Sequence, residues 1–190
     1  MDPDWIATVL SIGVGLGLSA AAGLRVFLPM LLLGVAARLG WISVSGDFQW
    51  IASGLALGSF GAATVLEIGA YYVPWLDNIL DAAAGPAAVA AGIIATAAVA
   101  ADLPPAVRWS AAIVAGGGTA GLVQGLTTIA RLKSSVLTGG LGNPILATFE
   151  WVGALVTAIV VLLVPALALV LVIGLVYGAA RVTKRKARSQ

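Results

Sequence analysis

A chain of 190 residues that is 61% hydrophobic and 9% charged cannot be a soluble domain, which carries about 25% charged residues. It reads as an integral membrane protein. The absence of cysteine and histidine excludes disulfides, thiolate catalysis, iron–sulfur clusters, imidazole metal sites and Ser-His nucleophiles, and no cofactor or metal is expected. The net charge of +2 misleads, because five of the ten basic residues, Arg181, Lys184, Arg185, Lys186 and Arg188, stand in the last ten positions. After a membrane helix such a cluster reads as a cytoplasmic anchor on anionic lipid heads, not as a nucleic-acid site.

The apolar runs are continuous over 20 or more residues, which predicts an all-α, polytopic bundle and not the alternating strands of a membrane barrel. Residues 1–180 are expected to form one bundle and residues 181–190 a basic tail. The start Met-Asp-Pro-Asp is acidic where a signal peptide would be basic, so the first block is expected to belong to the mature protein.

That block, Trp5 to Trp41, holds 37 residues whose only charges are Arg25 and Arg38. As one helix it would run about 55 Å, against a hydrocarbon core of roughly 30 Å. The spacing predicts a broken or re-entrant block, interrupted near Ala22-Gly23-Leu24-Arg25 with Pro29 one turn later. Further apolar blocks run over about 50–75, 86–101, 109–130 and 145–178, the last overlong and kinked at Pro165. Trp5, Trp41, Trp50, Trp75, Trp109 and Trp151 lie at or near block ends, the depth that tryptophan prefers. About five crossings follow, or six or seven if an overlong block is a hairpin. With the basic tail inside, five crossings put the N-terminus, Asp77 and Asp81 outside and Arg38 and Arg108 inside. Arg131 and Lys133 are the exceptions, placed outside.

Glycines four apart, at Gly13 and Gly17, Gly54 and Gly58, and Gly117, Gly121 and Gly125, predict grooves where helices approach closely. Gly116-Gly117-Gly118 lacks the strand and lysine of a phosphate-binding loop.

The candidate site rests on charges at membrane depth. Glu67 lies seven residues before Pro74, Gln124 seven before Arg131, and Glu150 seven after Asn143. Seven residues of helix are about 10 Å, so Glu67, Gln124 and Glu150 are expected in one layer below the outer surface. Arg25 is their expected counter-charge. Ionisable groups at that depth are costly and face a partner or a wet cavity. The chemistry fits an ion, anion or headgroup site between discontinuous helices, and equally a buried ion pair that fixes helix register. A second candidate is the run from Arg131 to Pro144, where Arg131 and Lys133 precede a glycine-rich turn. Asn143 is there expected to cap a helix with Pro144 at its first position, a place for an anion. Asp77 and Asp81, four apart, are a surface pair and read as an interfacial turn.

Gly17-Leu-Ser-Ala-Ala-Ala-Gly-Leu-Arg-Val-Phe-Leu-Pro29, Glu67 with Val73-Pro74-Trp75-Leu76-Asp77, and Gly139-Gly-Leu-Gly-Asn-Pro144 with Glu150 resemble a bacterial membrane family, domain of unknown function 4126. The resemblance covers about residues 10–170. It implies a polytopic protein of the bacterial cytoplasmic membrane with no assigned activity, and it points to Arg25, Glu67, Asp77 and Asn143-Pro144. In the family pattern an Asp–Lys pair precedes the Val-Pro, whereas Tyr71 and Tyr72 stand there in this chain.

Two functions are therefore expected to compete. One is a carrier or binder of a small ion, anion or lipid headgroup, with Glu67 and Glu150 coupling protonation or cation binding to a site served by Arg25. The other is a non-catalytic assembly subunit of a larger membrane complex or homo-oligomer, to which the glycine faces are suited. The missing catalytic side chains weigh against an enzyme.

Overall fold

The computed structural model describes residues 4–70, 74–139 and 141–165 together with positions 167, 170 and 174, and side chains for these apart from 4 and 74–82. The described residues form helices and no strand: α1 Asp4–Leu24, α2 Phe27–Arg38, a 3-10 helix Gly46–Ala52, α3 Gly54–Gly69, α4 Pro74–Val99, α5 Pro105–Ala111, a π-helical turn Ala112–Gly117, α6 Gly118–Thr138 and α7 Asn143–Leu163. Among the described residues, three stretches are long and apolar enough to cross a membrane, namely Trp5–Leu24, Pro105–Thr138 and Asn143–Leu163. A fourth follows if the 3-10 helix and α3, bent by 58°, count as one span. That count is below the five crossings expected, but α4, at 26 residues, is itself long enough to span and has its side chains described only from Ala83, whereas Phe27–Arg38 is shorter than a span.

Pro29 accounts for the break in the first block. In a continuous helix its ring would press on the carbonyl of Arg25, four residues earlier, and its missing N–H would leave that carbonyl without its bond. The helix ends instead at Leu24, with Arg25 N still bonded to Ala21 O at 2.9 Å, and restarts at Phe27 so that Pro29 falls in a first turn, where proline is tolerated. After the break the chain turns back. Gly15 of α1 lies against Thr96 and Val99 at the end of α4, and Ser45 N bonds Ala98 O at 2.8 Å on that same level. Seven residues after Arg38 span at most about 25 Å, so α2 must run back along α1 to bring Ser45 there. The first block is a helical hairpin with Arg25 at its tip. Its returning arm of 12 residues is about 18 Å long, too short for a full crossing. Gly40 closes that arm in the left-handed region at φ 73°, and Trp41 N bonds Ala36 O in the usual glycine-terminated cap.

α1 is the axis of the bundle, packed by α4, α6 and α7. Between lipid-embedded helices close van der Waals contact replaces the hydrophobic drive, so small residues set the spacing. A Cβ added at Gly92 of α4 would lie 2.6 Å from Ala120 Cβ, and one at Gly17 would lie 2.5 Å from Val161. Gly117 and Gly121 pack on Ile93 and Val89, whereas Gly58 and Gly125 face nothing within 4 Å and Gly54 meets only Arg38 Nη1 at 3.8 Å. At mid-bundle the fully buried Ser19 Oγ lies 2.8 Å from the carbonyls of Gly15 and Gly92 and 2.9 Å from Thr96 Oγ1.

Three expected boundaries move. The polar stretch Asp77–Asp81 is not an interfacial turn in the backbone but lies inside α4, which begins at Pro74. Proline suits a helix's first position, and acidic residues suit its first turns. The expected connector from Arg131 begins only at Gly139, because α6 continues to Thr138 and stops where Gly139 takes φ 62°. α7 stops at Leu163, and Val164 leaves the helical region at φ −134°, ψ 79°, as the residue before proline must when Pro165 follows.

Candidate functional site

The break at Arg25 frees backbone donors, and in a membrane such donors need a partner from the protein. Glu67, near the end of α3, supplies it. One carboxylate oxygen accepts from Val26 N at 3.1 Å and the other from Phe27 N at 3.5 Å. An anionic side chain at a helix start also suits the positive end of the α2 dipole. Glu67 is 9% exposed.

Arg25 leaves the same hairpin tip on another side, 7% exposed, and its Nη2 donates to Glu150 Oε2 at 2.7 Å. Glu150 stands two turns into α7. Arg131 stands two turns before the end of α6, so an antiparallel α6–α7 turn places the two at one depth, about 10 Å below the turn. Arg131 grips the carboxylate side-on, with Nε on Oε1 at 3.1 Å and Nη2 on Oε2 at 2.5 Å. Two guanidiniums thus share one carboxylate, in the fork geometry that arginine offers to planar oxyanions. α6 and α7 each pack more closely on α1 than on one another, so this ion pair spans the seam between them.

These groups enclose a cavity of about 20 Å³, bordered also by Ala84, Gln124 and Thr127. A water molecule needs about 10–15 Å³. The space therefore admits a single small occupant with the side chains as they stand. Gln124 makes no side-chain hydrogen bond among the described residues.

The structure brings Arg25, Glu67, Gln124 and Glu150 to one cavity. Arg131, which the sequence had put in an anion-binding loop with Lys133 and Asn143, lies on α6 and joins them instead. Its spacing of seven from Gln124, with Thr127 between, is also the spacing of one helix face, a signal that was there to be read. Lys133 is exposed beside Leu132, Val136 and Leu137. Asn143 caps nothing with its side chain, since the cap position of α7 is Gly142. The tight turn carries its amide back to Ser135 Oγ at 2.9 Å. The side chains of Asp77 and Asp81 and the tail 181–190 lie outside the described residues.

A second polar cluster, which sequence spacing did not reveal, sits at the other end of the bundle. Arg108 of α5, 6% exposed, donates to Ser45 Oγ and to Asp47 Oδ2 at 2.7 Å, with its guanidinium 6.0 Å from the Phe48 ring centre. Its partners are more than 60 residues away in the chain, so no local pattern announces it.

No curated protein and no solved structure matches this chain. The family model described as Domain of unknown function (DUF4126) matches residues 12–185, nearly the whole length, and the chain belongs to that family.

Proposed function

We propose that this protein binds a small anion in the cavity at the tip of the α1–α2 hairpin and moves it across the bilayer. The observation that carries the reading is the convergence of buried Arg25 and half-buried Arg131 on one carboxylate beside a small polar space within the helical bundle. Structural ion pairs need no cavity, and charges inside a membrane mark substrate paths. The two arginines close on a group no larger than the Glu150 carboxylate, and the occupant is read as a free ion of that size. Glu67 holds the hairpin tip when the site is empty, and protonation or displacement of a carboxylate accompanies entry of the anion. Toward the opposite face the path is closed by Ser19, Thr96, Gly92 and Gly116, which are in direct contact. This layer must part for release.

The hairpin also supports a different orientation. α1 begins, and α2 ends, on the face that carries Arg38, Trp41 and Arg108. The positive-inside rule then makes that face cytoplasmic and puts the N-terminus there too, instead of outside. A single bundle over residues 1–180 with a basic tail on lipid heads remains part of this proposal.

The protein reconstituted in vesicles should accelerate anion-driven flux over protein-free vesicles, and Arg25→Ala should abolish the gain. No flux with any of nitrate, formate, bicarbonate, chloride or bromide sinks the reading. An assembly role is favoured by one observation, the α3 glycines Gly58 and Gly61, which face nothing within 4 Å. It predicts the opposite pattern, in which Gly58→Leu impairs the cell and Arg25→Ala does not.

A further inference from the structure

Resting on the anion reading of the site, we propose that its occupant is a planar monovalent oxyanion of carboxylate size, and that Glu150 is the tethered stand-in holding its place. Three contacts define the seat: Arg131 Nε on one oxygen, Arg131 Nη2 on the other, and Arg25 Nη2 shared on the second. The two parallel arms of a guanidinium match two oxygens on one planar centre. Formate, nitrate and bicarbonate present that edge. A halide offers both arms a single atom and so lacks the second oxygen that the parallel N–H pair matches. A tetrahedral phosphate presents a bulkier group than the carboxylate that now fills the seat.

The exchange needs somewhere for Glu150 to go. The cavity of about 20 Å³ lies against the carboxylate, and Gln124 on its wall has a side-chain amide that bonds nothing among the described residues. As the oxyanion takes the arginines, the Glu150 carboxylate turns into this space and accepts from the Gln124 amide. Gln124 is thus a positioning residue for the displaced carboxylate. Thr127, also on the wall, already spends its hydroxyl on Gln124 O at 2.9 Å. No covalent step is involved.

Flux in reconstituted vesicles, measured with nitrate and formate against chloride and bromide, tests the proposal. The wild-type protein should move the planar ions at least about tenfold faster, the factor that corresponds to about 1.4 kcal/mol. Arg131→Lys keeps the charge but loses the fork, so it should bring the two classes within about threefold of each other. Equal or halide-favouring wild-type flux overturns the planar seat while leaving anion transport standing, whereas no flux at all overturns both. Glu150→Ala supplies a readout that needs no transport. With the tethered carboxylate gone, formate should raise the melting temperature of this variant in detergent and chloride at equal ionic strength should not. Equal responses to the two salts overturn the seat. If Glu150→Ala fails to fold, Gln124→Leu replaces it: lost planar-ion flux with an unchanged melting temperature supports the exchange, and unchanged flux overturns it.

Discussion

Glu150→Gln is the sharpest perturbation of the charge cluster, because it keeps the side chain's shape while it removes the charge and turns one of the two acceptor oxygens into a donor. Glu150 is 8% exposed and takes three arginine contacts, at 2.7, 2.5 and 3.1 Å. Hydrogen bonds to a charged group contribute about 1.5–3 kcal/mol each, but they are not additive. The better guide is the whole-pair figure, about 3–5 kcal/mol when one partner of a buried ion pair is removed. For a chain of this size 1 kcal/mol shifts the melting temperature by about 2–4 °C, so Glu150→Gln should lose roughly 6–20 °C. Adding Arg131→Gln should not deepen the loss in proportion. With one cation also gone, the double variant should recover at least about 1 kcal/mol over the sum of the singles. The assay is thermal unfolding in one detergent, followed by the fraction that stays monodisperse. A Glu150→Gln shift under 2 °C, or strict additivity in the double variant, would refute the claim that this carboxylate holds α1, α6 and α7 together.

The remaining predictions concern the fold around that cluster. Glu67→Gln keeps one carbonyl oxygen for Val26 N and should cost about 1 kcal/mol, while Glu67→Leu leaves the freed donors unbonded and should cost about 1–3 kcal/mol more; melting curves of both variants decide. Gly23→Ala would set a Cβ 2.6 Å from Ala120 O and 2.7 Å from Val123, an overpacking cost of about 1–3 kcal/mol. Gly58→Ala meets nothing within 4 Å and should be neutral or stabilising by up to about 1 kcal/mol. Arg108→Leu unties Ser45 and Asp47 from α5, and should raise amide hydrogen exchange over residues 45–52 without changing exchange at Val26 and Phe27.

How much of this was legible in the sequence depended on whether the signal was local. The break near Arg25 could be read because an apolar run of 37 residues is too long for one crossing and Pro29 follows at the right distance. The shared depth of Glu67, Gln124 and Glu150 could be estimated from helix rise alone. The helical ends could not. Arg131 to Thr138 is polar enough to resemble a connector, yet α6 continues to Thr138, with Leu132, Val136 and Leu137 carrying its apolar outward side. Asp77 and Asp81 misled in the same way, since acidic residues near a helix start stabilise it. The return of α2 stood in the sequence only as a re-entrant or hairpin alternative, for a different reason. It depends on Ser45 meeting Ala98, and no pattern within either segment encodes the other.

The fold explains some of these charges and not others, and that difference bears on function. A hairpin that turns inside a membrane exposes backbone donors, so an acceptor such as Glu67 is a structural requirement of the break at Arg25. The clamp on Glu150 has no such origin. α6 and α7 are joined by a short turn and both lean on α1, through contacts such as Gly23 with Ala120 and Gly153 with Leu24. Apolar side chains of similar volume at positions 25, 131 and 150 would close the seam without desolvating three charges, and such replacements in other buried clusters are often neutral or stabilising by about 1–4 kcal/mol. A triple change to Met, Met and Leu at those positions should therefore fold at least as well as Glu150→Gln, and better if the seam repacks. If the triple variant is stable yet silent in anion flux, the clamp is there for what it binds. If it unfolds more readily than Glu150→Gln, the three charges belong to the architecture, and the site loses its claim.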